Sequence, residues 1–255
     1  MTRARRYLIP GLVLLGVLVL WQIGAVIAGH HVRAIPPPTM IVVTLVQNWA
    51  LFVGDLQYTL VEAAAGFVIA TVVAIGLALV FVRSRAAEHA LYNVAVAAHS
   101  IPFIAIVPIL VIWLGNGYSP KIAVAALASF FPILVNATRG LRAVDRETMD
   151  LLYVLDARWW QVVRKVRWPT ALPYLFAAFK IGAPSAVLGA TIGEWIGSQT
   201  GLGYRILSAM FNFDPALLWA TMVVSALAAL AGFLLFEILE RLTVGRWASG
   251  NAVGS

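Results

Sequence analysis

The chain has 255 residues, 62% of them hydrophobic and 11% charged, which is about half the charged share of a soluble domain. That balance excludes a soluble enzyme, and the continuous apolar runs exclude a β-barrel, whose strands would alternate polar and apolar residues. A net charge of +7 reads here as cytoplasmic loop charge and not as a nucleic-acid surface; the absence of cysteine removes disulfides, thiolate metal sites and cysteine nucleophiles.

Arg3, Arg5 and Arg6 precede the apolar run Tyr7 to Ala28, long enough to cross a bilayer. The predicted first span is therefore 7–28, uncleaved, with its N-terminus in the cytoplasm. His30 to Pro38 reads as a polar interfacial loop. Its His pair has no third ligand nearby, so it is not read as a metal site. Three consecutive prolines extend the chain, and Thr39 is expected to cap a short interfacial helix over 39–52, with Trp49 and Phe52 at the interface.

Leu56 to Val82 is the second predicted span. Glu62 sits near its outer end, and Ala63, Ala64, Ala65, Gly66, Ala70, Ala74 and Gly76 allow close helix packing. His89 to Leu114 is the third, interrupted by Pro102 and Pro108. Gly115 to Pro120 is an outer turn, and Ile122 to Val135, extended to Thr138, is the fourth. Leu172 to Ile196 is the fifth, with Lys180 and Glu194 in apolar surroundings. These two stand fourteen residues apart in the sequence, roughly 21 Å along one helix, too far to pair within it. Gly197 to Tyr204 is glycine-rich but has no Gly-Lys-Ser/Thr and is no P-loop. Ile206 to Phe211 is expected as a short outer helix, and Leu217 to Leu239 as the sixth span.

Charge supports this count. With the N-terminus inside, Arg83, Arg85, the basic residues from Arg139 to Arg167, Arg241 and Arg246 all fall in the cytoplasm. Only Arg33, Lys121 and Arg205 fall outside. The expected fold is thus all-α and membrane-integral: six transmembrane helices with both termini cytoplasmic, one membrane domain over 1–255, a five-span core over 56–241 and a cytoplasmic loop at about 139–169. No internal repeat is visible. The stretch Thr138 to Pro173 is too charged for hydrocarbon, yet Leu151, Leu152, Val154 and Leu155 follow a helical apolar pattern. A charged segment with an apolar stripe is built to dock against something outside the bilayer.

Within that loop, Asp150 to Pro169 resembles the EAA loop of permease subunits of bacterial ATP-binding-cassette importers. Asp150-Leu151-Leu152 occupies the opening triplet, Asp156 the glycine position, and Val166, Trp168 and Pro169 the closing Ile, Leu and Pro positions. Asp156 for Gly is the sharpest departure. Further segments resemble the branch that imports nitrate, sulfonates, taurine, bicarbonate or thiamine-precursor pyrimidines. They are P-P-P-T at 36–39, T-L-V-E-A-A-A-G-F at 59–67, I-P-F-I-A-I-V-P-I-L-V-I-W-L-G-N-G at 101–117, R-K-V-R-W-P-T-A-L-P at 164–173 and G-E-W-I-G-S-Q-T-G-L-G-Y at 193–204. Glu62 stands where that family often has Arg.

The resemblance implies a type I importer permease in the bacterial plasma membrane, paired with a second permease copy. Two cytoplasmic ATPase subunits would bind ATP and magnesium, and an extracytoplasmic solute-binding protein would deliver the solute. The chain itself carries no Walker A motif, no catalytic constellation and no metal-ligand cluster, so no cofactor is expected in it and it is not expected to be an enzyme. The implied coupling helix spans 150–160, with Asp150, Leu151, Leu152, Tyr153, Val154, Leu155, Asp156, Ala157 and Arg158 at the ATPase and Pro169 fixing re-entry into the membrane. For the translocation path or gate, the polar candidates are His99, Ser100, Pro102, Thr191 and Glu194. The alternative reading is a secondary transporter or channel subunit not driven by ATP, which leaves the docking loop without a purpose.

Overall fold

The computed structural model describes residues 3–28 and 34–243. His30, His31, Arg33 and Arg246 lie outside the described residues. In chain order the elements are α1 (Arg3–Ala28), α2 (Pro38–Gln47), α3 (Trp49–Arg83), α4 (Arg85–Ser100), α5 (Phe103–Leu114) and α6 (Tyr118–Arg142). They continue with α7 (Arg146–Val154), α8 (Trp159–Val162), a π-helical turn (Val163–Arg167), α9 (Trp168–Glu194), α10 (Leu202–Phe211) and α11 (Pro215–Thr243). Four helices, Trp49–Arg83, Tyr118–Arg142, Trp159–Glu194 and Pro215–Thr243, are long and apolar enough to cross a membrane. The pair α4 and α5 is a fifth candidate, bent by 98° at its break.

Local chemistry explains most boundaries. Pro38 occupies the first turn of α2, where its missing N–H costs nothing. Ser84 caps α4 by accepting from the Ala87 N–H. Asp214 accepts from the Leu217 N–H at 3.0 Å and caps α11. Ile101 and Pro102 separate α4 from α5, because a proline disfavours helical backbone in the residue before it.

The helix expected over 39–52 is corrected. α2 ends at Gln47, and Asn48 breaks the chain before Trp49 opens the 35-residue α3. Thr39 does not cap it: its N–H and hydroxyl bond the side chain of Gln22 on α1 instead. Phe52 is buried with Ile41 and Ala220 and not interfacial, while Trp49 is exposed. The short outer helix is also longer than expected, beginning at Leu202.

The core is the triple contact of α3, α6 and α9, and small residues make it close. A Cβ on Gly66 would stand 2.6 Å from the Ala125 Cβ, and one on Gly189 2.8 Å from the Ala125 Cα. Both helices therefore approach α6 at one alanine, as small-residue membrane interfaces do. Toward the loop end, Ala70, Ala74, Ala78 and Phe81 pack with Ile133, Leu134, Ala137 and Leu141, and with Ala171, Leu175 and Ala178. α1 stands apart from this core and meets α11 through Trp21 and Trp219, ring centres 5.2 Å apart. The result is a bundle with two polar ends: the 139–169 loop at one, the glycine-rich loop at the other.

Candidate functional site

At the loop end, Asp145 caps α7, accepting from the Thr148 N–H at 2.7 Å and its hydroxyl at 2.9 Å. Those bonds favour the ionised form and hold the Asp145 carboxyl below its ordinary value. α7 closes in a Schellman arrangement. The Ala157 N–H donates to the Leu152 carbonyl at 3.0 Å and the Asp156 N–H to the Tyr153 carbonyl at 3.1 Å. Asp156 itself takes a left-handed φ of 47°. The turn normally made by glycine is thus present with an aspartate in it, as short polar side chains permit.

This geometry corrects the helix expected over 150–160: the helix is 146–154, residues 155–158 form the turn, and Trp159 opens a new helix. The apolar face also differs. Leu151, Tyr153, Val154 and Leu155 are exposed, Tyr153 at 87% and Val154 at 80%, whereas Leu152 is half-buried. Residues 151, 154 and 155 share one side of a helix by three- and four-residue spacing, and Thr148 and Leu152 share another. Asp150 and Arg158 are exposed, Ala157 is half-buried, and the Arg158 N–H donates to the Gln161 side chain at 3.0 Å. Arg167 ties the segment to the bundle, donating to the Leu141 carbonyl at 2.7 Å. Pro169 lies in the first turn of α9, directly after the π turn. The chain therefore re-enters as one helical run, Trp159–Glu194, of 36 residues.

The five path candidates separate into two groups. His99, Ser100 and Pro102 gather at the 98° bend. His99 stacks on Phe131 with ring centres 4.6 Å apart, and the Ser100 hydroxyl returns to the Val96 carbonyl. Thr191 and Glu194 lie at the far end of α9, where the Thr191 hydroxyl bonds the Val187 carbonyl. Lys180 meets Glu237 at 2.9 Å and also Glu240, joining α9 to α11.

Glu194 is 1% exposed and forms the centre of an outer cluster. It accepts from the Thr59 hydroxyl at 2.6 Å and from the Gly203 N–H. Thr59 in turn accepts from the Leu202 N–H at 2.9 Å. Asp55 accepts from the Gly201 N–H at 3.1 Å and pairs with Arg205 at 2.7 Å. The glycine-rich loop wraps the protein's own carboxylates, not a phosphate. Gly201 holds φ +103°, and a Cβ there would meet the Glu194 carboxyl at 2.4 Å. Sequence reasoning missed Asp55, Thr59 and Arg205. The available signal was polar residues at 55, 59 and 62, one helix face by spacing. Among the described residues, no three His, Asp or Glu side chains group as metal ligands.

The family model described as the inner membrane component of binding-protein-dependent transport systems matches residues 66–248. The chain belongs to this family. The permease is 34% identical to the formylaminopyrimidine transport permease protein ThiX of Halalkalibacterium halodurans, over 95% of this chain and 97% of that one. It is 36% identical to the riboflavin transport system permease protein RibX of Chloroflexus aurantiacus, over 90% and 86% of the two chains. Similarity to the putative aliphatic sulfonates transport permease protein SsuC of Bacillus subtilis is 28%, over 94% and 88%. In fold, the permease resembles a chain of the MetNI methionine ABC transporter in an inward-facing conformation, with a TM-score of 0.59 and 22% identity over 74% of this chain and 96% of that one. The protein is thus the multi-pass permease subunit of an ABC importer. It is not an enzyme, because ATP hydrolysis in such importers belongs to a separate ATPase subunit.

Proposed function

We propose that the permease imports a small nitrogen-containing heteroaromatic solute across the bacterial inner membrane. It works as two copies with six spans each and both termini in the cytoplasm. Two ATPase subunits, which bind ATP and magnesium, sit at the 139–169 loop, and a solute-binding protein docks at the opposite end. The observation that carries the coupling role is the exposed apolar strip of Leu151, Tyr153, Val154 and Leu155, held at a charged end of the bundle between a carboxylate cap and a closed turn. An apolar strip in water gains by burial in a partner groove. Asp150, Asp156 and Arg158 surround it and set register.

ATP binding closes the ATPase dimer and moves this segment, and the spans follow from inward-open to outward-open. The shift requires only that the ATPase bind the two permease states with different affinity. The cargo reading rests on the solutes for which two of the relatives are named, a formylaminopyrimidine and riboflavin, both nitrogen heterocycles. Glu62, at 4% exposed and where an anion carrier would favour a cation, agrees with a cargo that is not an anion.

The test is complex formation and ATP hydrolysis in nanodiscs with the co-expressed ATPase. Val154→Glu places a charge in the strip at a position that packs against nothing else. Stable wild-type complex with at least about 30-fold weaker mutant binding is expected for a buried interface anchor. A Val154→Glu permease that binds and stimulates its ATPase like wild type removes this segment from the interface.

A further inference from the structure

We infer that a basic cavity at the 139–169 end binds the phosphate group of an anionic phospholipid from the adjoining leaflet. The inference goes beyond the coupling and cargo readings above and takes from them only which side of the membrane this end faces. The cavity, of about 540 Å³, opens where α4, the end of α6, the start of α7 and the π turn meet. Each of these elements brings one arginine to the lining: Arg85, Arg142, Arg146 and Arg167 in that order. Glu88 and His89 of α4 join them. Four guanidiniums thus stand against one carboxylate.

That carboxylate is already engaged. Glu88 accepts from both terminal nitrogens of Arg142, at 2.7 and 2.6 Å, and Arg142 also donates to the Phe81 carbonyl at 3.0 Å. Arg167 donates to the Leu141 carbonyl at 2.7 Å and reaches the Met149 sulfur at 3.8 Å. It stands close enough to Arg142 to be repelled by it. All eleven acids of the chain lie among the described residues, and the ion pairs there use Arg142, Lys180, Arg205 and Arg241. Asp145, next to Arg146 in the chain, is held by Thr148. Arg85 and Arg146 are both exposed, and among the described residues neither forms an ion pair.

Orientation in the membrane needs basic residues only on the correct side. It does not need four of them drawn from four elements onto one concavity, where like charges repel. An anion in the cavity offsets that repulsion. Its chemistry follows from the cations: all four are arginines, whose planar fork matches two oxygens of a phosphate, where a lysine would offer a point charge. Arg142 and Arg167 are fixed by contacts of their own and lend charge. Arg85 and Arg146 are left to grip the oxygens.

Depth decides the source of the phosphate. Trp168, next to Arg167 and 38% exposed, marks the membrane–water boundary, where tryptophan collects. Basic pockets between membrane helices on the cytoplasmic side take anionic headgroups. Val82 and Val144 add apolar surface to the same lining, which suits a headgroup carrying its glycerol and not a bare ion. The volume is that of a small-molecule site.

The test titrates the full-length permease in detergent with phosphatidylglycerol or phosphatidylcholine and counts bound lipid by native mass spectrometry. Phosphatidylglycerol is expected to bind at least about tenfold tighter. Arg85→Gln together with Arg146→Gln should weaken it by at least about tenfold. Arg164→Gln together with Lys165→Gln removes equal charge from exposed positions outside the cavity and should stay within a few-fold of wild type. Equal affinity of the wild type for the two lipids overturns the inference without any variant. Equal losses in the two double variants overturn it as well, because diffuse surface charge then accounts for the binding. Inorganic phosphate at millimolar concentration separates the sources: phosphate binding that needs Arg85 and Arg146, with no preference between the lipids, overturns the lipid in favour of a soluble ligand. ATPase binding to the same variants is measured in parallel. If Arg85→Gln with Arg146→Gln weakens ATPase binding and leaves phosphatidylglycerol bound, the two arginines belong to the ATPase contact and the lipid site is overturned.

Discussion

The two polar ends of the bundle solve opposite problems. At the glycine-loop end, Asp55, Thr59 and Glu194 are buried and fully provided with donors from backbone and side chain. At the other end, Leu151, Tyr153, Val154 and Leu155 are apolar and exposed. One end spends its residues on its own stability, and among the described residues one carboxyl oxygen there, Glu62 Oε2, is buried without a partner. The other leaves a whole apolar strip exposed, the surface that the proposed ATPase contact would cover. Substitutions should therefore divide: changes at the first end cost folding, and changes at the second cost assembly.

The largest effect should come from Gly203→Ala. Its Cβ would sit 1.9 Å from the Thr191 carbonyl oxygen, so α10 must leave Glu194. A loss of several kcal/mol is expected, lowering the unfolding temperature by roughly 10 °C; an unchanged thermal transition would show the cradle to be dispensable. Next is Asp55→Leu, which strands the Arg205 guanidinium. The expected cost is about 3 kcal/mol, part of it recovered by adding Arg205→Met. Denaturant unfolding of the two variants measures this, and equal stability of both would remove the ion pair from the account.

At the 139–169 end the effects shrink and one reverses sign. Asp156→Gly relieves a left-handed backbone and should stabilise the folded segment by roughly 0.5–1 kcal/mol. Slower amide exchange at Ala157 would report it, and faster exchange would mean that the aspartate side chain, not the turn, holds the segment. The smallest effect belongs to the Asp145 cap. Because the folded carboxyl is held below its ordinary value of 3.8, its contribution is present above that pH and is lost as pH falls through the lowered value. Thr148 amide exchange should therefore quicken at strongly acidic pH in wild type. In Asp145→Ala it should already be quick at neutral pH, and a wild-type rate there would show the cap to be idle.

Much of the bundle is legible in the sequence because bilayer solvation leaves few choices. Apolar runs of span length must be helices, and Pro102 announces a break. What hydropathy cannot show is a charge that is paired far along the chain. Asp55 looks like a span boundary, so α3 was expected to begin at Leu56. Its partner Arg205 stands 150 residues away, and that pairing lets the helix run from Trp49. Lys180 likewise meets Glu237 and Glu240 across 57 and 60 residues. In the 139–169 loop, the resemblance put Asp156 at a glycine position, yet the helix expected over 150–160 runs through it, whereas the structure ends the helix at Val154 and half-buries Leu152. Three leucines and a valine in a row of five carry no sign of which side the bundle already covers.

The 36-residue run Trp159–Glu194 joins the two ends as a single rod, about 54 Å long at helical rise. Pro173 and Pro184 lie within it without ending it, and its irregular stretch is the π turn Val163–Arg167. A stiff member with no intervening loop makes angular phase a shared property of both ends. One residue added or removed in that turn would rotate the two parts of the rod against each other by about 100°, and Glu194 would no longer face its glycine cradle while Trp159 kept its place.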